Sequence, residues 1–483
     1  MQSIKYLTQV VLVLFMLSCS SPNDTRNLDT NEYATKISDW IDLNIGLITY
    51  ERISPPKASR VLAYSSVALY QGLYNGLDGY ESLSNQLNEL DLSEEFDASK
   101  NYNWYVVGIT SQKEMLNYLY KDTSPASLQQ IEELYTLQLQ SEENISRSSI
   151  IERSVEYGET LGKELVLWAQ TDGYAETRNK EYLFEPQYSQ WIPTANISSA
   201  SLSLNPVLNI VTKYDSTGKN SVSKDAGLYS DRMLTTNRPQ QITNERVAME
   251  PFWGELRTFA LDSLSSFDPV KPFEYSENKS SDFYKEALVV YNSTKDLTDW
   301  EKETAHFWAD NPGQTGTPPG HWFSIMSQLI DQKELKLSKA LEMYVLTNIS
   351  MADAFISCWR EKYESMVIRP ETYIQRVIDE NWRNIIVTPP FPEYTSGHSV
   401  CSGAAAEILT FVLGDNVSFT DRTHEHQYGF KARTYSSFYE AADEAAISRL
   451  YGGIHYPMAI YNGLDQGKAI GKNIATNLTL KTK

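Results

Sequence analysis

Cysteine is nearly missing from this chain, with three in 483 residues at Cys19, Cys358 and Cys401. No Cys-x-x-Cys pair and no Cys/His metal spacing occurs, which argues against a structural zinc site of the finger or ribbon type. Cys358 and Cys401 either pair in an oxidising compartment or stand as buried free thiols, and the sequence leaves both open. Positive charge is also short: 42 Lys and Arg face 62 Asp and Glu, for a net charge of −20. Such a chain cannot collect a phosphate backbone by counterion release, so nucleic acid is excluded as a general partner. Anionic lipid headgroups repel it for the same reason. An anionic substrate or cofactor then needs a local cluster of bases working against the mean field. Long apolar runs are lacking too, since no segment reaches the roughly 20 apolar residues of a membrane-spanning helix. No fixed-period repeat and no alternating strand pattern is found. What is present is core material, 41% hydrophobic and 12% aromatic. That is too much for a disordered chain. The length fits one large domain or roughly two to four ordinary ones.

The N-terminus reads as a targeting segment. Lys5 precedes an apolar run at 10–17, which ends in Leu17-Ser18-Cys19 and is followed by polar Ser20, Ser21, Pro22, Asn23 and Asp24. The run is too short to span a bilayer. It resembles a bacterial lipoprotein signal, in which Cys19 is lipidated and becomes the new N-terminus; an ordinary secretory signal is the alternative. Residues 1–18 are therefore read as signal peptide and 19–33 as lipidated N-terminus and linker. Residues 34–483 are read as one helical domain with its catalytic part at about 300–480. The expected location is the bacterial cell envelope, with membrane contact only through the lipid.

Helical periodicity dominates the rest, and the fold class read from it is all-α. Ile37, Trp40, Ile41, Ile45 and Ile48 recur near a 3.6-residue period. Ser54-Pro55-Pro56 supplies a cap and a first-turn proline for a helix through Leu73. Further helices are predicted at 104–120, 126–170, 281–309, 335–363, 397–413, 437–451 and 459–479. The region 172–280, rich in Tyr, Ser, Asn and Pro, reads as long loops and short helices with room for a strand or two. The stretch 311–320, Asn-Pro-Gly-Gln-Thr-Gly-Thr-Pro-Pro-Gly, reads as a loop.

Three separated segments carry candidate chemistry. In the first, Lys362 and Arg369 stand seven residues apart, within about 20° of one helix face, with Trp359 three residues before Lys362 on that face. Pro370 pushes Arg369 out of the helical region and ends the element there. In the second, Ser396 caps an apolar helix, Gly397 lets backbone approach a ligand, and His398 sits in the first turn of an anion-binding helix end. In the third, Arg449 lies among Ala445, Ala446, Ile447 and Leu450, an inward position where a charge needs a partner. Gly452-Gly453 then breaks the helix and displays His455 beyond the break. Each segment alone is equally a solvated face, a plain cap or a structural turn.

Taken together, the three resemble the signature of the vanadium-dependent haloperoxidase and type-2 phosphatidic acid phosphatase superfamily. That signature is Lys, six residues, Arg-Pro; then Ser-Gly-His; then Ser-Arg, three residues, Gly, one residue, His. Lys362, Arg369 and Pro370 match the first part, Ser396, Gly397 and His398 the second, and Ser448, Arg449, Gly453 and His455 the third. The resemblance implies a helical bundle and vanadate as cofactor, bound to His455 at the metal and held by Lys362, Arg369, Ser396, Gly397 and Arg449. It implies His398 as the proton-handling residue, with Lys362 above all polarising bound peroxide. The implied partners are hydrogen peroxide and a halide, iodide or bromide before chloride. Trp359 and Phe391 match positions lining the halide side in the family's haloperoxidases, where apolar rings shelter a weakly hydrated halide. The alternatives are an acid phosphatase acting on a phosphate ester through a phosphohistidine on His455, and a non-catalytic surface-binding lipoprotein.

One departure concerns the ring of His455. The family often carries an acid four residues after this histidine, and here that position is Ala459. A backbone carbonyl is the expected substitute acceptor; without one the ring's basicity falls. Asp310 is a candidate partner for Arg449 or His398. His321 is placed at the entrance rim or in a capping or packing role. His424 and His426 fall in a polar loop with no role assigned.

Overall fold

The computed structural model describes residues 27–93, 95–183, 187–192, 248–425 and 429–482. The leader, Cys19 with its expected lipid, and His426 lie outside the described residues. Helices make up nearly all the regular structure, as the periodicity predicts.

Helix α1 (Asn31–Tyr50) begins inside the expected linker because Thr30 caps it, accepting from the Tyr33 amide. Helix α2 (Pro55–Leu73) starts on its proline as expected. Ser54, however, does not cap; its hydroxyl donates to Glu250 instead. After α3 (Trp104–Leu119), the helical pattern at 126–170 proves to be two helices, α4 (Pro125–Glu143) and α5 (Ser148–Gln170). A short α6 (Tyr174–Thr177) comes next. The pattern at 281–309 likewise divides, into α7 (Asp282–Ser293) and α8 (Asp299–Phe307), the second opened by a Thr298/Glu301 capping box. Residues 317–320 belong not to a loop but to α9 (Thr317–Gln332), whose prolines sit in the first turn, where a missing N–H costs nothing. Then come α10 (Leu337–Ser365), α11 (Pro370–Val377) and α12 (Gly397–Leu413). Most of the 172–280 stretch, 193–247, lies outside the described residues; among the described residues the strands form a hairpin, β1 (Phe419–Asp421) against β2 (Arg433–Tyr435), antiparallel with Thr420 opposite Thr434. Last are α13 (Phe438–Tyr451) and α14 (Pro457–Asn477).

Helix α10 is buried along nearly its whole length, and α2, α12 and α14 pack around it. Cys358 on α10 and Cys401 on α12 are both buried free thiols. No described helix is long and apolar enough to cross a membrane. The tightest crossing is α12 on α14, at Gly467. A Cβ there would stand 2.1 Å from the Val400 carbonyl oxygen and 2.9 Å from the Ala404 nitrogen. Both are backbone atoms that cannot swing aside. Gly467→Ala must push the helices apart, at an expected cost of about 1–3 kcal/mol. Thermal unfolding reads this as a lowered Tm, and an unchanged Tm would show that the crossing tolerates a methyl group. The crossing matters because α12 begins at the segment that carries Ser396–His398, and α14 begins just after His455.

Candidate functional site

Helix α10 stops at Ser365 because Met366 turns into the left-handed region, with φ of 52°. Arg369 is therefore not on one helix with Lys362. It occupies the N-cap of α11, and Pro370 opens that helix rather than ending the earlier one. The bend nonetheless delivers both side chains inward. Lys362, Arg369 and Arg449 are at most 1% exposed.

Their partners are almost all neutral. Lys362 Nζ donates to the carbonyls of Pro392 at 3.1 Å, Glu393 at 3.0 Å and Thr395 at 2.5 Å. All three of its protons are thus taken up by the loop before α12, so a direct bond to a guest requires release of one carbonyl. Arg369 donates through Nε to Phe391 O and through Nη1 to Ile454 O. Its Nη2 is buried with no partner among the described residues. Arg449 donates from Nη2 to Ala305 O and sets Nε 3.1 Å from the Ser448 hydroxyl. None of the three makes an ion pair with a described residue. Burial pulls Lys362 down to about 8, Arg369 to about 10 and Arg449 to about 9. Three cations out of water without a counter-charge in contact are costly, and an anion relieves that cost.

Each guanidinium holds one imidazole. Arg449 Nη1 donates to His398 Nε2 at 3.1 Å, and the other side of the ring bonds the Trp308 backbone. Arg369 Nη1 donates to His455 Nε2 at 3.2 Å, while His455 Nδ1 stands 2.8 Å from Glu393 Oε1. Burial first, and then the neighbouring cations, hold both rings well below the ordinary histidine range. Both rings are therefore neutral at pH 7, each with its Nε2 lone pair turned to a cation. Glu393 is the acceptor that Ala459 does not supply, and it is a carboxyl group rather than the expected backbone carbonyl. It also takes the Tyr456 amide at 2.9 Å. Burial pushes Glu393 up to about 8 against the pull of Arg369.

His398, Arg449, His455 and Gly397 line one cavity together with Trp359, Phe391 and Asp310. With its mouth, the cavity encloses about 590 Å³. Ser396 caps α12 as expected, accepting from the Ser399 amide, which leaves its own hydroxyl proton available. The Trp359 and Phe391 rings pack at 4.9 Å, and the Phe391 face lies 5.0 Å from Lys362 Nζ and 4.9 Å from the Arg369 guanidinium carbon. The aromatic wall thus touches both cations as well as the cavity.

Asp310 pairs with neither Arg449 nor His398 by hydrogen bond. Its carboxylate is taken by His321 Nδ1 at 2.9 Å and His424 Nε2 at 3.1 Å, from where it acts on Arg449 and His398 only through its field. His321 is not at the rim: it is 1% exposed, stacked on Trp308, with Nε2 on Asp421 at 2.8 Å. His424, expected to be loop, belongs to this buried cluster. Glu393 and Asp421 are the groups that the sequence pattern misses, and each meets its histidine only through the fold.

Comparison with known proteins points the same way. Residues 342–481 match the family described as VCPO second helical-bundle domain, a stretch that contains all three motifs. The chain is 22% identical to vanadium chloroperoxidase of Curvularia inaequalis over 228 residues. That match takes in 34% of this chain and 37% of the fungal protein, so it spans well under half of the relative's length. Among solved structures, a bacterial vanadium-dependent iodoperoxidase is 34% identical and superposes with a TM-score of 0.76, covering 94% of this chain and 98% of that one. A bacterial vanadium-dependent chloroperoxidase in its holo form, 16% identical, shares the fold with a TM-score of 0.63 over 94% of this chain and 98% of its own.

Proposed function

The chain belongs to the vanadium-dependent haloperoxidase family, and we propose that it oxidises iodide or bromide, in preference to chloride, with hydrogen peroxide on bound vanadate. The observation that carries this reading is the buried trio of Lys362, Arg369 and Arg449, without an acid in contact, beside a neutral His455 Nε2. Vanadate fits this set. The orphaned Arg369 Nη2, the Ser396 hydroxyl and the α12 amides are donors suited to its oxygens. His455 Nε2 is the lone pair suited to its metal, with Arg449 and Lys362 adding charge. When bound, vanadate supplies a Lewis-acidic centre at which peroxide becomes an oxidant for halide.

The protein's own part is positioning and exclusion. His398, anchored on Trp308 and lining the cavity, offers Nε2 as a proton acceptor. Trp359 and Phe391 keep water from one wall and favour the larger, weakly hydrated halides. The 34% identity to an iodoperoxidase supports the same order of halides. The nest would hold phosphate equally well, so phosphate-ester turnover is the competing outcome.

The test is a vanadate titration of the purified chain, with peroxide and each halide scored in parallel against an aryl phosphate. Iodide and bromide oxidation should rise to saturation with vanadate. No halide oxidation at saturating vanadate, or ester hydrolysis that vanadate inhibits, would overturn the reading. The titration also has a predicted pH break. Lys362 is charged below about pH 8 and loses its proton above it, while a bound anion raises its proton affinity. Vanadate affinity should therefore fall by up to roughly tenfold per pH unit above 8. Lys362→Met should lack this component, which separates it from vanadate's own titration.

A further inference from the structure

The anion nest does not account for the buried cluster of Asp310, His321, His424 and Asp421. We infer that Asp310, His321 and His424 bind one divalent metal ion of the zinc class, at a site separate from vanadate. Their ligand atoms all lie within 4.8 Å of one another. Asp310 Oδ1 stands 3.1 Å from His321 Nδ1 and 3.1 Å from His424 Nε2. The edge of a tetrahedron around an ion with ~2.0 Å bonds is about 3.3 Å, so the two Asp310 contacts already have that spacing, and the two imidazole nitrogens, within 4.8 Å, would close on the ion by at most about 1.5 Å. Two imidazoles and one carboxylate are a donor set that zinc accepts readily.

The surroundings have the form of a metal centre. His321 keeps its other nitrogen 2.8 Å from Asp421 Oδ2, which holds the Nε2–H tautomer and leaves Nδ1 for ligation. Asp421 is itself fixed by the amide and hydroxyl of Thr423, at 2.8 and 2.6 Å. The Asp310 and His321 side chains have no exposed surface, and neither has that of Asp421. A divalent ion would balance the two buried carboxylates. The lack of cysteine spacing argues against a zinc finger or ribbon, but these ligands come instead from three segments. They are the loop after α8, the first turns of α9, and the turn after β1. An ion there would pin Asp310 and its neighbours Ala309, Asn311 and Pro312, with Pro318 on α9, all of which line the cavity beside His398 and His455.

The competing account is a metal-free imidazolium held between Asp310 and Asp421. Elemental analysis of the full chain, prepared without vanadate and dialysed against zinc, separates the two. One zinc per chain is expected, removed by a strong chelator and restored with a rise in Tm. Cobalt should replace it and give visible ligand-field absorption. His424→Ala should lose the metal, while His398→Ala, a change in the anion nest, should keep it. Wild-type protein that holds well under one metal per chain in free zinc and shows no cobalt spectrum overturns the site. Neither readout uses vanadate or turnover, so failure of the haloperoxidase reading would leave this result intact.

Discussion

His455→Ala is expected to abolish vanadate-dependent halide oxidation, by roughly a thousandfold or more, and to abolish saturable vanadate binding with it. The reason lies in what the ring uniquely supplies. Lys362, Arg369 and Arg449 offer positive charge and protons, but every atom they present is a donor. His455 Nε2 is the lone pair that Arg369 marks at 3.2 Å, and no other described side chain brings a neutral nitrogen to that end of the cavity backed by a carboxyl group. The variant should still fold. Removing the ring leaves Glu393 without one partner, yet burial already pushes this carboxyl group up to about 8, so it takes a proton rather than remain an unpaired charge. The checks are iodide oxidation at saturating vanadate, vanadate binding by equilibrium dialysis, and Tm. A folded His455→Ala protein that still turns over iodide with vanadate would remove the basis of the proposed chemistry.

How far the sequence discloses this site depends on whether a feature is local. Ser396 capping α12, His398 in its first turn and the Gly453 break before His455 are fixed by neighbours within a few residues, and all are present as expected; Gly453 has a φ of 74°. Pro370 marks the right place in the wrong sense. A proline can close the element before it or open the one after it, and only the left-handed Met366 shows that α10 has already stopped. Helix α9 is hidden because Thr-Pro-Pro-Gly has loop composition, although prolines in a first turn are compatible with a helix. The long-range partners have no local signal at all. Glu393 is 62 residues from His455, and Asp310 is 114 from His424. Nothing in spacing or periodicity distinguishes these acids from the chain's many solvated ones. An alanine at position 459 does signal that an acceptor is missing. It does not say that the loop before α12 provides one.

That substitution of acceptors makes Glu393 the second residue whose loss should be large. Glu393→Gln keeps a carbonyl oxygen for the His455 Nδ1–H and the Tyr456 amide, so the ring should stay in place. What is lost is a group that can give up its proton, near 8, and as a carboxylate make the ring a stronger donor of its lone pair. The expected result is vanadate affinity weaker by about 10- to 100-fold, the range seen when an outer carboxylate behind a metal-bound histidine is removed. Stability should move the other way. The folded carboxyl group titrates near 8, above its unfolded value, so the native state loses stability as pH rises from the ordinary carboxylate range towards 8. Glutamine has no such titration. Glu393→Gln should therefore match or exceed the wild-type Tm at pH 8 and lose that advantage near pH 4. Glu393→Ala should lose affinity too, but with no acceptor left for either N–H it should also lose stability at both pH values. Unchanged vanadate affinity in Glu393→Gln would mean that the ring's basicity is set elsewhere. A lower Tm at pH 8 would mean that the buried carboxyl group is held by more than the two hydrogen bonds that reach it.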